Sequence, residues 1–439
     1  MTVTSTPASP EAATSLAAAA PHCLYAETAT PATAAPALAS ALQVEILVVG
    51  AGYTGLSAAL HLAERGKEVA LLEACEPGFG AAGRNGGQIN AGLKYEPDVA
   101  ERMLGPLFGP RLTQRALHAP EFLFGLIERL GLECEARRCG TLRAAYARPH
   151  VAALDDSAEQ WRRRGVPVEL WGRVRMEEAT GTARYVRGLF DPNGGSLNPL
   201  SFARGLANAA RRAGVRLYGS TRVRSLGREA AGWRARTAGG DVLARKVVIA
   251  TDGYSDGLWP GLRRSVVPLY SAIIATSPMP SRCEPLPGRQ VVYESGRITV
   301  YYRRDAFGRL LMGGRGLQRA ANAREDYRHL MGYARTLWPT LEHIEWTHWW
   351  NGQFAVTPDF LPRFHMPERD LYILLGYSGR GLALGPALGA ELAAVVAGAP
   401  PDSFPLPISP IRPIRWHRFW RLGVGARIWQ GRLLDRLGR

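Results

Sequence analysis

The sequence predicts an α/β fold, α+β overall, in which a parallel-sheet domain made of discontinuous segments carries a second, antiparallel sheet. Three observations predict it. Residues 44–74 read VEILVVGAGYTGLSAALHLAERGKEVALLEA, a strand, glycine turn, helix and strand in succession. Two apolar runs far downstream, Val247–Ala250 and Leu371–Leu375, each end in a glycine-containing turn, as buried parallel strands do. Residues 266–355 instead alternate apolar and polar positions, for example over Ile298–Tyr302 and Arg309–Gly313, which suits a half-buried antiparallel sheet.

Residues 1–44 are rich in Ala, Thr, Pro and Ser and contain no Lys or Arg. They lack the basic start of a secretory signal and the arginines of a transit peptide, so a disordered tail is expected, with Leu24 and Tyr25 docking locally at most.

The unit that follows carries Gly50-Ala51-Gly52-Tyr53-Thr54-Gly55, a G-x-G-x-x-G pattern between strand Ile46–Val49 and a helix ending at Gly66. Gly50 makes the tight turn, Gly52 lets a pyrophosphate approach the backbone, and Gly55 lets helix and strand pack closely. The unpaired amides of the helix start, at Tyr53 and Thr54, then face the phosphates. Glu73, eighteen residues past Gly55 and followed by Ala74, ends the second strand Val69–Leu72 and is placed to accept from a ribose. The domain is therefore Rossmann-like and binds a dinucleotide. Spacing alone does not separate NAD from FAD.

Residues 78–92, GFGAAGRNGGQINAG, do separate them. Six glycines in fifteen positions suit neither helix nor strand. A nicotinamide dehydrogenase has no need of such a stretch after its ribose carboxylate, whereas a flavin ring has to be approached by backbone. EACEPGFGAAGRNGGQINAG resembles the corresponding segment of the D-amino-acid-oxidase-like FAD-dependent oxidoreductases, in the gamma-glutamylputrescine oxidoreductase branch. The resemblance runs from about Tyr25 to the C-terminus. It implies noncovalent FAD, with Arg84, Asn85, Gly86, Gly87 and Gln88 along the pyrophosphate and flavin edge.

The resemblance also orders the rest of the chain. It implies an FAD-binding domain from 45–100, 196–265 and 356–400, a substrate domain from 101–195 and 266–355, and a basic helical segment over 401–439. In the meander of residues 214–255 it places Val223 against adenine and Ala250, Thr251 and Gly253 at the nucleotide. In Gly376-Tyr377-Ser378-Gly379-Arg380-Gly381-Leu382 it directs a helix start at the flavin carbonyl end, where negative charge collects on reduction. Cofactor contacts are expected from Gly376, Ser378, Gly379, Arg380, Gly381 and Leu382.

Family members that oxidise simple amino acids carry W-x-G-x-R, whose Arg pairs with the substrate carboxylate. This chain has Trp350-Asn351-Gly352-Gln353-Phe354, and a benzyl group makes no such clamp. An amine or N-substituted polyamine is therefore expected as substrate, a reaction of polyamine catabolism. Tyr301 and Tyr302 are candidates to wall its alkyl chain, Arg315 to take a distal carboxylate, and Arg380 to add a cation. No acid–base triad or metal cluster is evident, and none is needed, because binding geometry and the cofactor supply the chemistry. His118, His343 and His348 read as structural. Of the three lysines only Lys94 lies near the glycine-rich loop; some relatives use such a Lys to assist reaction with oxygen. Oxygen is the expected acceptor.

Composition narrows the alternatives. The net charge of +16 comes from 51 arginines and only three lysines, a skew that points to coding bias rather than a nucleic-acid surface. Five irregularly spaced cysteines predict a reduced, cytoplasmic protein with no structural metal. No run of eighteen apolar residues is present. The C-terminal stretch after Pro410 holds eight Arg with Trp416, Phe419, Trp420, Ile428 and Trp429. It is expected to pack on the body; the alternative is a basic membrane-surface segment on a quinone-reducing dehydrogenase. An RNA-modifying flavoprotein without amine turnover is a further alternative.

Overall fold

The computed structural model of the protein describes residues 19–280, 285–296 and 299–436. Two large sheets organise them. The first runs, in order across it, Arg363–His365, Leu371–Leu375, Asp241–Ile249, Leu42–Val49, Val69–Leu72 and Arg216–Tyr218. The 42–49 strand is parallel to both 241–249 and 69–72. Ile46–Val49 and Val69–Leu72 are buried throughout, as a sheet covered on both faces requires. The hairpin Ser225–Glu229 and Gly232–Arg236 hangs antiparallel on the 241–249 strand.

Three helices cover one face of this sheet: Tyr53–Ala63, Pro199–Arg212 and Gly381–Ala397. The last lies directly on the first, because Gly389 presents no side chain. A Cβ there would come within 2.7 Å of the Thr54 carbonyl oxygen. Asn198 caps the middle helix, its Oδ1 accepting from the Ser201 amide at 3.2 Å.

The second sheet runs Trp346–Val356, Val267–Thr276, Leu310–Arg315, Tyr301–Arg304, Val291–Glu294, Thr141–Ala145, Arg187–Asp191 and Glu169–Gly172. It is antiparallel except where 291–294 runs beside 141–145. The strands expected at Ile298–Tyr302 and Arg309–Gly313 are Tyr301–Arg304 and Leu310–Arg315; Ile298 lies outside the described residues. One face of this sheet packs its own core of Leu142, Ile274, Met312, Leu330 and Trp338. The other face roofs a cavity over the first sheet.

Two expectations are corrected here. Residues 20–44 are not a disordered tail. Leu24–Thr28 is a short helix, and Cys23, Leu24 and Tyr25 are buried against Leu200, Ile273 and Trp350. The following backbone is tied down as well: Thr30 accepts from Arg204 at 2.7 Å, and the Leu38 amide donates to Thr221 at 3.0 Å. A few large side chains and these bonds offset the ordering cost that the Ala/Thr/Pro composition suggests would dominate. Residues 1–18 of that stretch lie outside the described residues. Second, helices Pro97–Leu117 and Ala119–Leu130 do not belong to the substrate sheet. Leu112, Leu123, Phe124 and Ile127 join the core of Leu56, Leu60 and Leu388 under the nucleotide sheet.

The C-terminal segment first runs extended along the nucleotide domain, with Phe404 and Leu406 buried and the Ser409 amide donating to the Phe364 carbonyl at 2.9 Å. The helix Trp420–Arg436 follows. Trp420, Val424 and Ile428 are half-buried toward the body, whereas Leu422 and Trp429 are exposed. Among the described residues no helix is long and apolar enough to cross a membrane.

Candidate active site

An elongated cavity of ≈ 550 Å³ lies between the two sheets. At one end it meets the carboxyl ends of the parallel strands. Gly50 sits there at φ +104°, a left-handed turn where a Cβ would strike the Ala250 carbonyl oxygen at 2.8 Å. A Cβ on Gly55 would lie 1.9 Å from the Gly50 oxygen, so that glycine packs helix on strand behind the wall. Gly52 differs from both. A Cβ there meets nothing within 4 Å and would project into open space. Its glycine answers to a ligand rather than to the protein, and the helix start beside it has no side-chain cap. Tyr53 and Thr54 also line this wall.

Glu73 lines the same end. Its two oxygens accept from the Ala51 amide at 2.7 Å and the Cys75 amide at 3.0 Å. Burial pushes its carboxyl pKa up and these amides pull it back. Ala74, Val223, Ala250 and Thr251 complete the end. Gly253 does not reach the cavity. It packs under strand 346–356, where a Cβ would come within 2.7 Å of Phe354 Cα.

The glycine-rich loop forms the middle of the cavity. Asn85 fixes it: its Nδ2 donates to the carbonyls of Ala81 and Ala82, and its Oδ1 accepts from the Gly87 amide at 2.9 Å. Arg84 lies over the Phe79 ring at 4.7 Å, donates to the Phe79 carbonyl, and its own carbonyl accepts from Trp350 Nε1 at 3.0 Å. Gly86 leaves room for the Tyr301 ring, 2.6 Å from where a Cβ would be, and its carbonyl accepts from Arg303 Nε at 2.7 Å. The guanidinium of Arg303 also donates to Tyr25, which is how the N-terminal segment supports the loop. Gln88 donates to the carbonyls of Val292 and Tyr302. Arg84, Asn85, Gly86 and Gln88 line the cavity; Gly87 does not and serves the turn, at φ +66°.

The Gly376 turn closes the opposite wall. Ser378, Gly379, Arg380, Gly381 and Leu382 line the cavity, while Gly376 stands behind it. Helix Gly381–Ala397 starts here with no side-chain cap, so its first amides point into the cavity. Asp252 holds this turn and was not singled out from the sequence. Its carboxylate accepts from the Gly376 amide at 2.8 Å and the Ala355 amide at 3.3 Å, joining three segments far apart in the chain. Its place just past the apolar run Val247–Ala250 was the available signal.

The far end of the cavity belongs to the second sheet. Tyr301 lines it, its hydroxyl 2.8 Å from Ser271 Oγ, with burial raising its pKa to about 12. Tyr302 does not, which corrects the expectation for that residue. Neighbouring strand residues face opposite ways, so Tyr302 points into the sheet's own core and donates to the Tyr185 hydroxyl at 2.9 Å. Arg315 and Phe354 line this end. So do Tyr293, which the sequence did not single out, and Lys94, which it placed only near the glycine-rich loop; among the described residues no histidine lines the cavity. Arg380 lies over the Tyr293 ring at 5.2 Å and donates to the Ala91 carbonyl at 3.3 Å. Lys94 stands on the loop between Gln88–Ile89 and helix Pro97–Leu117. Desolvation and the charges of Arg380, Arg315 and Arg143 push its ammonium pKa down to about 7.

Residues 45–395 match the family described as FAD dependent oxidoreductase, DAO. The chain belongs to that family. FAD is accordingly the cofactor of this oxidoreductase, and the open cradle at Gly52 beside Glu73 fits a dinucleotide. The flavoprotein is 31% identical over 365 residues to the gamma-glutamylputrescine oxidoreductase of Escherichia coli (strain K12), covering 82% of this chain and 85% of that protein. It is 31% identical over 369 residues to the probable oxidoreductase OrdL of Rhizobium meliloti (strain 1021), with the same coverage. Its fold matches the crystal structure of glycine oxidase from Geobacillus kaustophilus at a TM-score of 0.71 and 25% identity, over 85% of this chain and 99% of that one.

Proposed function

We propose that this flavoprotein oxidises the C–N bond of an N-substituted amine of the gamma-glutamylputrescine kind, with oxygen as electron acceptor. When bound, FAD supplies the hydride acceptor. In this reading Gly50, Gly52, Tyr53 and Thr54 hold its pyrophosphate and Glu73 its ribose. Val223, Ala250 and Thr251 flank the adenine, and residues 84–88 with the Ser378–Leu382 turn surround the ring. Attachment is noncovalent in this reading: among the described residues no histidine lines the cavity, and Cys75 stands beside Glu73, at the ribose end.

The observation that carries the substrate reading is Phe354. Its ring lines the far end of the cavity where a simple amino-acid oxidase would need a cation for the α-carboxylate. With Tyr293 and Tyr301 it makes an aromatic wall against which an alkyl chain packs, presenting a carbon–nitrogen bond to the flavin end. The similarity to a gamma-glutamylputrescine oxidoreductase supports the same substrate class. The likeness in fold to a glycine oxidase supports oxygen as acceptor. The buried thiols of Cys23 and Cys134 support a cytoplasmic location.

The test is product stoichiometry. Gamma-glutamylputrescine incubated aerobically with the holoenzyme is expected to yield aldehyde, ammonia and hydrogen peroxide in equal amounts. Aldehyde without peroxide, formed only when a dye is added, would refute the acceptor. A second reading, a peripheral dehydrogenase serving a membrane quinone, is favoured by the outward face of helix Trp420–Arg436. There Phe419, Leu422 and Trp429 follow at helical spacing beside Arg418 and Arg421, all exposed. Co-sedimentation with anionic vesicles at low salt would support that reading, and indifference to them would remove it.

A further inference from the structure

The charges along the cavity are distributed unevenly. Three carboxylates line it, and each is engaged. Glu73 accepts from Ala51 and Cys75, Asp252 from Gly376 and Ala355, and Asp256 accepts from Arg222 at 2.9 Å and the Leu258 amide at 3.0 Å. None is on the second sheet. The far end instead holds Lys94, Arg315 and Arg380, brought together from a loop, a strand and a helix start. Arg380 has the Ala91 carbonyl and the Tyr293 ring as partners. The ammonium of Lys94 and the guanidinium of Arg315 have no hydrogen-bond or ion-pair partner among the described residues.

Elsewhere this arginine-rich chain pairs comparable cations; neighbouring Arg143 is bonded to Glu96 and Ser157. Leaving like charges together and unpaired in a protein-walled cavity is costly unless an anion joins them. Burial first, and then the charges of Arg380 and Arg315, push the Lys94 ammonium pKa down, and burial lowers that of Arg315. The FAD pyrophosphate does not answer this need, because its cradle at Gly52 is at the other end of the cavity.

We infer that Lys94 and Arg315 form a receptor for a carboxylate carried by the amine substrate, at the end of an aliphatic chain packed on Tyr293, Tyr301 and Phe354. The inference rests on the reading of the cavity as an amine-oxidising site and narrows its substrate class. The substrate is an amine bearing a distal carboxylate; a bare polyamine, whose second ammonium would meet two cations, is excluded. The lost carboxylate clamp at Phe354 is thus replaced by an anion site on other elements.

Equilibrium binding to the oxidised holoenzyme tests this without requiring turnover. Perturbation of the flavin absorbance is followed on titration with glutarate and with its neutral isostere glutaramide. Wild-type protein is expected to bind glutarate at least ten-fold more tightly. Arg315→Met and Lys94→Met, each retaining full flavin content, are expected to weaken glutarate ten-fold or more and leave glutaramide unchanged. Arg315→Lys is expected to restore part of the loss. Equal affinity for the two probes, or wild-type glutarate binding in both Met variants, overturns the inference. Kinetics separates its failure from failure of the functional reading. If putrescine reduces the flavin as readily as gamma-glutamylputrescine, the amine reading stands and the receptor falls. If no amine reduces the flavin yet glutarate binds selectively, the receptor stands and the amine reading falls.

Discussion

The two ends of the cavity are built by different means. At the nucleotide end the surface that meets the phosphates is backbone, glycines and helix-start amides, with the Glu73 carboxylate beside it, close to parallel strand ends. At the far end the surface is side chain: Lys94, Tyr293, Tyr301, Arg315 and Phe354, drawn from a loop and four strands. A backbone site is tolerant of chemistry but not of volume. A side-chain site is the reverse, since each residue can change without moving the sheet. The difference explains how one fold keeps its cofactor while its substrate changes.

Glycine substitutions break the nucleotide end most severely, and in two distinct ways. Gly55→Val places atoms inside the Gly50 carbonyl, so the variant is expected to be insoluble or unfolded, as read by expression and circular dichroism. Gly52→Val projects into open space at an extended φ of −82°. It is expected to fold as well as wild-type apoprotein yet bind FAD at least a hundred-fold more weakly, as read by flavin-to-protein ratio and thermal melting. If both variants fail to fold, Gly52 is structural and the comparison loses its basis.

Next in size is the tie between the ends. Asp252→Ala leaves the Gly376 and Ala355 amides buried without their acceptor, which should cost about 2–4 kcal/mol of stability in denaturant unfolding. FAD affinity should fall with it, because the Gly376 turn presents the closing helix to the cavity.

A smaller and pH-dependent effect is expected under the second sheet. Asp191 is buried, its Oδ2 has no hydrogen-bond partner among the described residues, and burial pushes its carboxyl pKa up to about 6. A carboxyl that binds its proton more tightly when folded destabilises the fold once ionised, above that pKa, and not below its unfolded value. Asp191→Asn should therefore add on the order of 1–3 kcal/mol at pH 8, and its advantage should vanish by about pH 4. Urea unfolding at the two pH values checks the sign.

The smallest pair sharpens the far end itself. Tyr302→Phe removes the bond to Tyr185 in the sheet core and should cost about 1 kcal/mol with no change in kcat or KM. Tyr301→Phe frees Ser271 at the cavity wall and should raise KM a few-fold with little loss of stability. A reversal of the two results would put Tyr302, not Tyr301, at the substrate.

The nucleotide end was legible because its parts are consecutive. Gly50 through Glu73 forms one supersecondary unit whose spacing carries the physics, and the Gly78–Gly92 loop follows directly. Strand 371–375 and the Val247–Ile249 end of strand 241–249 were legible from apolar runs that suit a doubly covered sheet. The far end was legible only in part. Arg315 and Phe354 stood out by residue type and Lys94 by its place just after the glycine-rich loop, but Tyr293 reaches the cavity through the pairing of strands more than a hundred residues apart, which no local pattern encodes. Tyr302 was misassigned because two adjacent tyrosines give no clue to which face is which. The ordered 20–44 segment was missed because a few buried side chains outweigh a composition that looks disordered.

The account's central claim is that one end of the cavity holds FAD while the other presents an amine to it. The most direct measurement is an anaerobic titration of the yellow holoenzyme with gamma-glutamylputrescine. The account predicts loss of the flavin colour complete at about one amine per flavin, with colour returning when air is admitted. A flavin that stays oxidised through excess of this and other carboxylated amines, while dithionite bleaches it at once, would contradict it.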